Sequence, residues 1–311
     1  MEHTRQFVRR GPINPFVDWG FKYIFGREEN KDLLMGFLNQ LLGPEIEIDN
    51  IRYLNTELLG DNPELKRCVV DVLATDSDEN RYLIEMQNAS DHFIRQRLLY
   101  YACRLVDQMG QHRQSWEYGH INRVFAICLM NFTYEKDPIL RDDYQLRSIY
   151  RDRIFSPLFN IITLQLPCLR SQSAAECRES YEILLYLLQS MSKRMKTREE
   201  LLAEIEGIDL PEHTKEVFRR VINTVEDDLT DDQWRDYELD LDKYQRTMSV
   251  IRTGREEGRE EGREEGREEG REEGRAEERV RIAKAMIEKG VQREIIASCT
   301  GLSEEEIKQL S

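Results

Sequence analysis

The sequence predicts an α/β protein: a central mixed sheet flanked by helices, with a helical C-terminal extension. Three stretches carry that prediction. Residues 68–87 hold two short runs rich in β-branched residues around a polar turn, residues 75–80, the pattern of an antiparallel hairpin. Residues 93–108 space their apolar and aromatic side chains as a helix does, and residues 124–132 form a near-continuous apolar run suited to a buried strand. Strand, helix and strand in that order make a crossover unit.

Taken in order, residues 1–11 read as loose and Asn14-Pro15 as the start of a turn. Asp18–Phe25 reads as a helix with Phe21, Ile24 and Phe25 on one face. Asn30 stands as the N-cap of a second helix, Lys31–Leu42, striped by Leu34, Phe37, Leu38 and Leu41 and ended by Gly43-Pro44. Residues 46–58 read as the first strand, and residues 60–64 as a turn into the hairpin. Each hairpin strand carries a carboxylate where a core strand carries an apolar residue: Asp71 between Val70 and Val72, and Glu85 between Ile84 and Met86. A turn centred on Asp78 puts Asp71 opposite Glu85, where Cβ atoms stand roughly 4.5–5.5 Å apart. Gln87 points the same way. A buried carboxylate is costly unless paired or bound to a cation, and an all-oxygen cluster of this kind suits Mg²⁺ or Mn²⁺. The alternative is a solvated hairpin with two exposed acids.

After Gln87, Phe93, Arg97, Tyr100, Tyr101 and Arg104 recur at helical spacing. Arg97 and Arg104 share one side. With Arg95 they either hold phosphate oxygens, as guanidinium does well, or form a solvated basic face. Residues 144–150 and 161–166 read as two further strands, with Arg147, Arg151 and Arg153 as an accessory basic patch. From Ser173 onward the pattern is helical, with helices expected over 182–191, 211–224 and 231–248. Residues 254–275 read GREE five times, then GR. Six glycines and like charges at i,i+4 make this stretch, in isolation, a marginal helix or a solvated linker. The tail becomes amphipathic again. Val280, Ala283, Met286 and Ile287 stripe one helix, Ile295, Ile296 and Ala297 mark a second, and Ser303 with Glu306 forms a capping box for a third. The outline is helix–turn–helix-like, but the last helix is acidic, which favours protein interaction or dimerisation over base reading. The expected organisation is a core over 1–172, a helical cap or continuation over 173–252, a repeat over 253–275 as linker or helix, and a small helical module over 276–311.

The 311 residues carry a formal net charge of −15, so the chain is not a broad electrostatic binder of nucleic acid. A cleft can still be locally basic, with a divalent cation supplying charge. No apolar run approaches the ~20 residues of a membrane span, and the N-terminus lacks an apolar secretory core. The six cysteines are scattered, as suits reduced thiols in a cytoplasmic protein. His112 and His120 beside Cys103 and Cys128 match no standard zinc spacing.

Asp71, then Glu85-Met86-Gln87 on the next strand, resembles the PD-(D/E)XK nuclease signature with Gln in the Lys position. More specifically, residues 12–135 resemble the Rpn family of recombination-promoting nucleases and transposase-like proteins. The segments FVDWGFKYIFG (16–26), LLMGFLNQLLG (33–43), NTELLG (55–60), the hairpin, FIRQRLLYYACRLVDQ (93–108) and VFAICLMNF (124–132) carry the likeness. The resemblance implies a restriction-endonuclease-like core and a Mg²⁺- or Mn²⁺-dependent DNA endonuclease tied to recombination or mobile elements. The cation would sit on Asp71, Glu85 and the Met86 carbonyl. The resemblance also places Asp18 and Lys22, Glu57 and Arg97 at family positions. Each has a plain reading beside the functional one: an i,i+4 surface pair, a strand-end charge, a solvated basic face. Gln87 supplies neither positive charge nor a proton, which leaves a second reading open: a catalytically weak nuclease fold acting as an oligomeric binding or regulatory factor through residues 173–311.

Overall fold

The computed structural model describes residues 12–44, 46–58, 68–91, 93–111, 121–224 and 229–310. The expected loose N-terminus, the turn over 60–64, and His112 and His120 lie outside them. Contacts divide the chain into two compact units, Met1–Met248 and Ser249–Ser311.

The first unit is built on a six-stranded mixed sheet. Its strands are β1 (Ile51–Tyr53), β4 (Val72–Asp76), β5 (Arg81–Gln87), β6 (Val124–Met130), β7 (Arg141–Arg147) and β8 (Ile154–Gln165), in the spatial order β1-β4-β5-β6-β8-β7. The pairs β5–β6 and β6–β8 are parallel and the others antiparallel. A separate two-stranded ladder joins β2 (Glu57–Leu58) to β3 (Cys68–Val69). Helix α3 (Ile94–Gln111) is the crossover between β5 and β6, which parallel neighbours require.

Strand alternation sorts the core onto two faces. Val72, Ala74, Tyr82, Ile84, Phe125 and Ile127 pack with α1 (Asp18–Phe25), α2 (Lys31–Leu42), α4 (Ser180–Ser192), α5 (Arg198–Glu206) and α6 (Glu212–Thr224). Leu73, Leu83 and Ala126 face α3 through Ala102 and Leu105. The mixed sheet between helical layers is the architecture the sequence predicts. Gly20 lets α1 approach the preceding turn: a Cβ there would lie 2.3 Å from the Asn14 carbonyl oxygen.

Several expectations need correction. The strand expected over 46–58 starts only at Ile51, since Ile48 spends both backbone groups on the Asn39 side chain of α2, and it is split into β1 and β2 around Asn55, whose side chain accepts from the Glu57 N–H at 2.9 Å. Asn30 precedes α2 but makes no cap; its amide donates to the Tyr23 carbonyl at 2.9 Å and is buried. The strands expected over 144–150 and 161–166 are β7 and β8, one hairpin whose second strand begins earlier, at Ile154. Its outer part is exposed on both sides, so burial left no pattern to read there. Helix α5 was not expected, although Thr197 and Glu200 form the capping box that marks its start.

The GREE repeat is helical. It lies inside α7 (Asp231–Glu288), which carries residues of both units. Because the repeat is flanked by helix on both sides, it meets no nucleation cost, and each Glu256-type residue stands three before an Arg. In the second unit, α8 (Arg293–Thr300) ends at left-handed Gly301, and α9 (Glu304–Gln309) starts with both bonds of the Ser303–Glu306 capping box. Ala283, Ile296 and Ile307 are its core.

Candidate active site

The two acids meet as the hairpin register requires. The β4–β5 ladder pairs Val72 with Ile84, so Asp71, one residue before β4, faces Glu85. Asp71 Oδ2 accepts from the Met86 N–H at 2.8 Å, and Glu85 Oε1 accepts from the Asp71 N–H at 3.3 Å. Glu85 Oε2 accepts from Gln87 Nε2 at 3.0 Å. Within a strand a residue's N–H and C=O point to the same edge, so the Met86 carbonyl is directed to the Asp71 side. Two carboxylates, a carbonyl and an amide therefore converge where β5 leaves the sheet.

Glu85 is 4% exposed. Burial, and then the charge of Asp71, push its carboxyl well above the ordinary range, and Arg97 only partly offsets this. Burial likewise raises Asp71, with the Met86 N–H and Lys22 pulling the other way. Two carboxyls this close do not both ionise without a compensating cation. Burial works against the Lys22 ammonium. Hydrogen bonding to Asp18 and the charges of Asp18 and Asp71 outweigh it and raise its pKa. Lys22 Nζ sits 2.8 Å from Asp18 and 3.5 Å from Asp71, so the helical ion pair and the contact to the site coexist.

Arg97, on α3, is within electrostatic reach of Glu85. Its Nη1 donates to Asp91 at 3.0 Å, while Nε and Nη2 are buried with no hydrogen-bond partner among the described residues. Asp91 was missed by sequence reasoning. Its signal was positional: it opens α3, accepting from the Phe93 N–H. The other predicted residues lie apart. Arg95 is exposed, bonded to Glu135 and 5.0 Å over the Tyr134 ring. Arg104 binds Asp107 at 3.1 Å. Glu57 is exposed on β2, opposite Val69, and among the described residues no hydrogen bond or ion pair joins it to Asp71 or Glu85.

Among the described residues, no three His, Cys, Asp or Glu side chains cluster as a metal-holding set. The ligand atoms that do converge are all oxygen, and Lys22 and Arg97 compensate the two carboxylates only in part. That chemistry fits a hard divalent cation completing its shell with water.

A mixed sheet with a crossover helix and a strand pair presenting Asp, Glu and Gln defines a PD-(D/E)XK nuclease-like α/β protein. The chain belongs to the PD-(D/E)XK nuclease family transposases, whose family model matches residues 15–253, and within them to the Rpn family. The C-terminal domain model of the Rpn/YhgA-like nuclease family, a helix–turn–helix domain, matches residues 276–311. Neither curated proteins nor solved structures gave a match. The family is one of nucleases linked to mobile elements. Among the described residues no helix is long and apolar enough to cross a membrane.

Proposed function

We propose that the chain is a divalent-cation-dependent DNA endonuclease whose centre is Asp71, Glu85, Met86 and Gln87. The observation that carries this is the buried Glu85 opposed to the half-buried Asp71 across the hairpin of a nuclease-family chain. Asp71, Glu85 and the Met86 carbonyl would hold Mg²⁺ or Mn²⁺. Bound there, the cation supplies Lewis acidity to the phosphate and its bound water. The chain's own residues do the rest. Asp71 and Glu85 release protons to become ligands. The Gln87 amide fixes the Glu85 carboxylate through Nε2 and leaves its carbonyl oxygen to accept from a water. Arg97, within electrostatic reach of Glu85, and Lys22, beside Asp71, offer the positive charge that Gln87 lacks. Glu57 is left outside this centre. The helix–turn–helix domain supports DNA as the partner. The acidic α9, with three glutamates in its first turn, repels phosphates, so contact with DNA by this domain would fall to residues outside that helix.

Plasmid nicking tests the reading. Wild type with Mg²⁺ or Mn²⁺ should cleave, a chelator should stop it, and Asp71→Asn and Glu85→Gln should each lower the rate about 10³-fold, the scale of several kcal/mol that a catalytic cation supplies. Equal cleavage by all three proteins rules the centre out. One observation favours a second reading: Gln87 stands in the Lys position with its amide committed to Glu85. A weakly catalytic, oligomeric regulator would bind DNA or a partner and show no cation-dependent nicking.

A further inference from the structure

The sheet's far corner carries a projection that the acid pair does not use. The β6–β8 ladder begins at Val124 and Phe159, so β8 before Phe159 pairs only with β7. Pro157, inside that stretch, has no N–H to offer a third strand. Residues 146–158 thus form a free two-stranded ribbon, with register shifts at Leu146 and Arg147. Its tip has a fixed shape: the Ser148 N–H donates to the Arg153 carbonyl at 3.0 Å, and the Arg151 N–H to the Ser148 hydroxyl at 3.2 Å. On this tip Tyr150 is 91% exposed, Ile149 86% and Phe155 83%. Arg147 binds Asp152, and among the described residues no ion pair engages Arg151 or Arg153.

Apolar side chains held this far into water mark a contact surface. The chemistry of the surface names the occupant. Rings and unpaired guanidiniums on one narrow ribbon, in a chain of net charge −15, suit a polyanion whose bases present flat faces. A two-stranded ribbon also has the width of a DNA groove. We propose that the β7–β8 ribbon is a DNA contact, with Tyr150 and Phe155 against bases and Arg151 and Arg153 on phosphates. It deepens the endonuclease reading and rests on it for the identity of the polyanion. Thr163 on β8 is level with Glu85. Ile154 lies about nine residues back along the strand, so the tip stands roughly 30 Å from the acids at ~3.3 Å per residue. The ribbon therefore places DNA and takes no part in bond breaking.

The test uses the full chain. A Tyr150→Trp variant, titrated with a fluorescent-label-free 30-bp duplex and with the corresponding single strand, should lose emission relative to wild type treated alike. The pair Arg151→Glu and Arg153→Glu should weaken binding tenfold or more and flatten the salt slope by about two, near 0.9 per phosphate contact. In nicking assays it should raise KM and leave kcat unchanged. Unchanged emission while a gel shift shows the same DNA bound elsewhere overturns the proposal. So does a concentration-dependent mass that Tyr150→Ser with Phe155→Ser abolishes, since a second copy then covers the ribbon. Emission loss in a chain that never nicks keeps the ribbon and removes the nuclease reading; nicking with unaltered binding by the ribbon variants does the reverse.

Discussion

Asp71 and Glu85 are where the chain departs furthest from what stability alone would choose. Both carboxyls titrate above the ordinary range because they are buried and opposed. A carboxyl whose pKa is higher folded than unfolded binds more protons when folded, so its stabilising effect is full in mild acid and is lost as pH climbs through the raised value. The cation-free protein should therefore lose thermal stability between about pH 5 and about pH 9. Glu85→Gln should flatten that decline and melt a few degrees higher at the alkaline end. Mn²⁺ should restore wild type alone while releasing protons on binding. Superimposable profiles for wild type and variant would remove the pair as the cause. These two residues were legible because a carboxylate interrupts an apolar strand. The unfilled nitrogens of Arg97 and the anchoring Asp91 were not, because they depend on where α3 crosses the sheet.

At the level of elements, residues that sit among buried neighbours spoke plainly and exposed ones did not. The hairpin, α3 and β6 followed from their apolar spacing, whereas β8 extends into solvent where no alternation survives. The GREE stretch was open between helix and linker for a related reason. Taken alone it is a poor helix, and only its continuity with helical flanks makes it one. Its four-residue period coincides with the helix's own i±4 ridges, so each ridge carries a single residue type. Gly258, Gly262, Gly266 and Gly270 have nothing within 4 Å of a built Cβ. Replacing them with Ala should stabilise the helix by about 0.5–1 kcal/mol each. Trypsin should then cut at the arginines of the repeat several-fold more slowly. Faster cutting would show that these glycines support a structure other than the helix.

Over the whole molecule, the charge of −15 opposes a polyanion everywhere except at local features. DNA binding should accordingly be weak without a divalent cation and should tighten on adding Mn²⁺ for wild type but not for Asp71→Asn, as read by anisotropy at fixed salt. Equal tightening of both would place the cation's effect outside the acid pair. The fold class was legible from sequence because hairpin, crossover and amphipathic tail each announce themselves locally. The ordering of six strands was not, because it rests on long-range pairing. That difference in range bears on the order in which the centre assembles. Asp71 and Glu85 are joined by closing a short loop through one turn, a sub-millisecond event. Lys22 and Arg97 arrive only once separate helices have docked. During refolding the acids thus meet before any counter-charge is at hand, and a proton or a captured cation must bridge them in the interval.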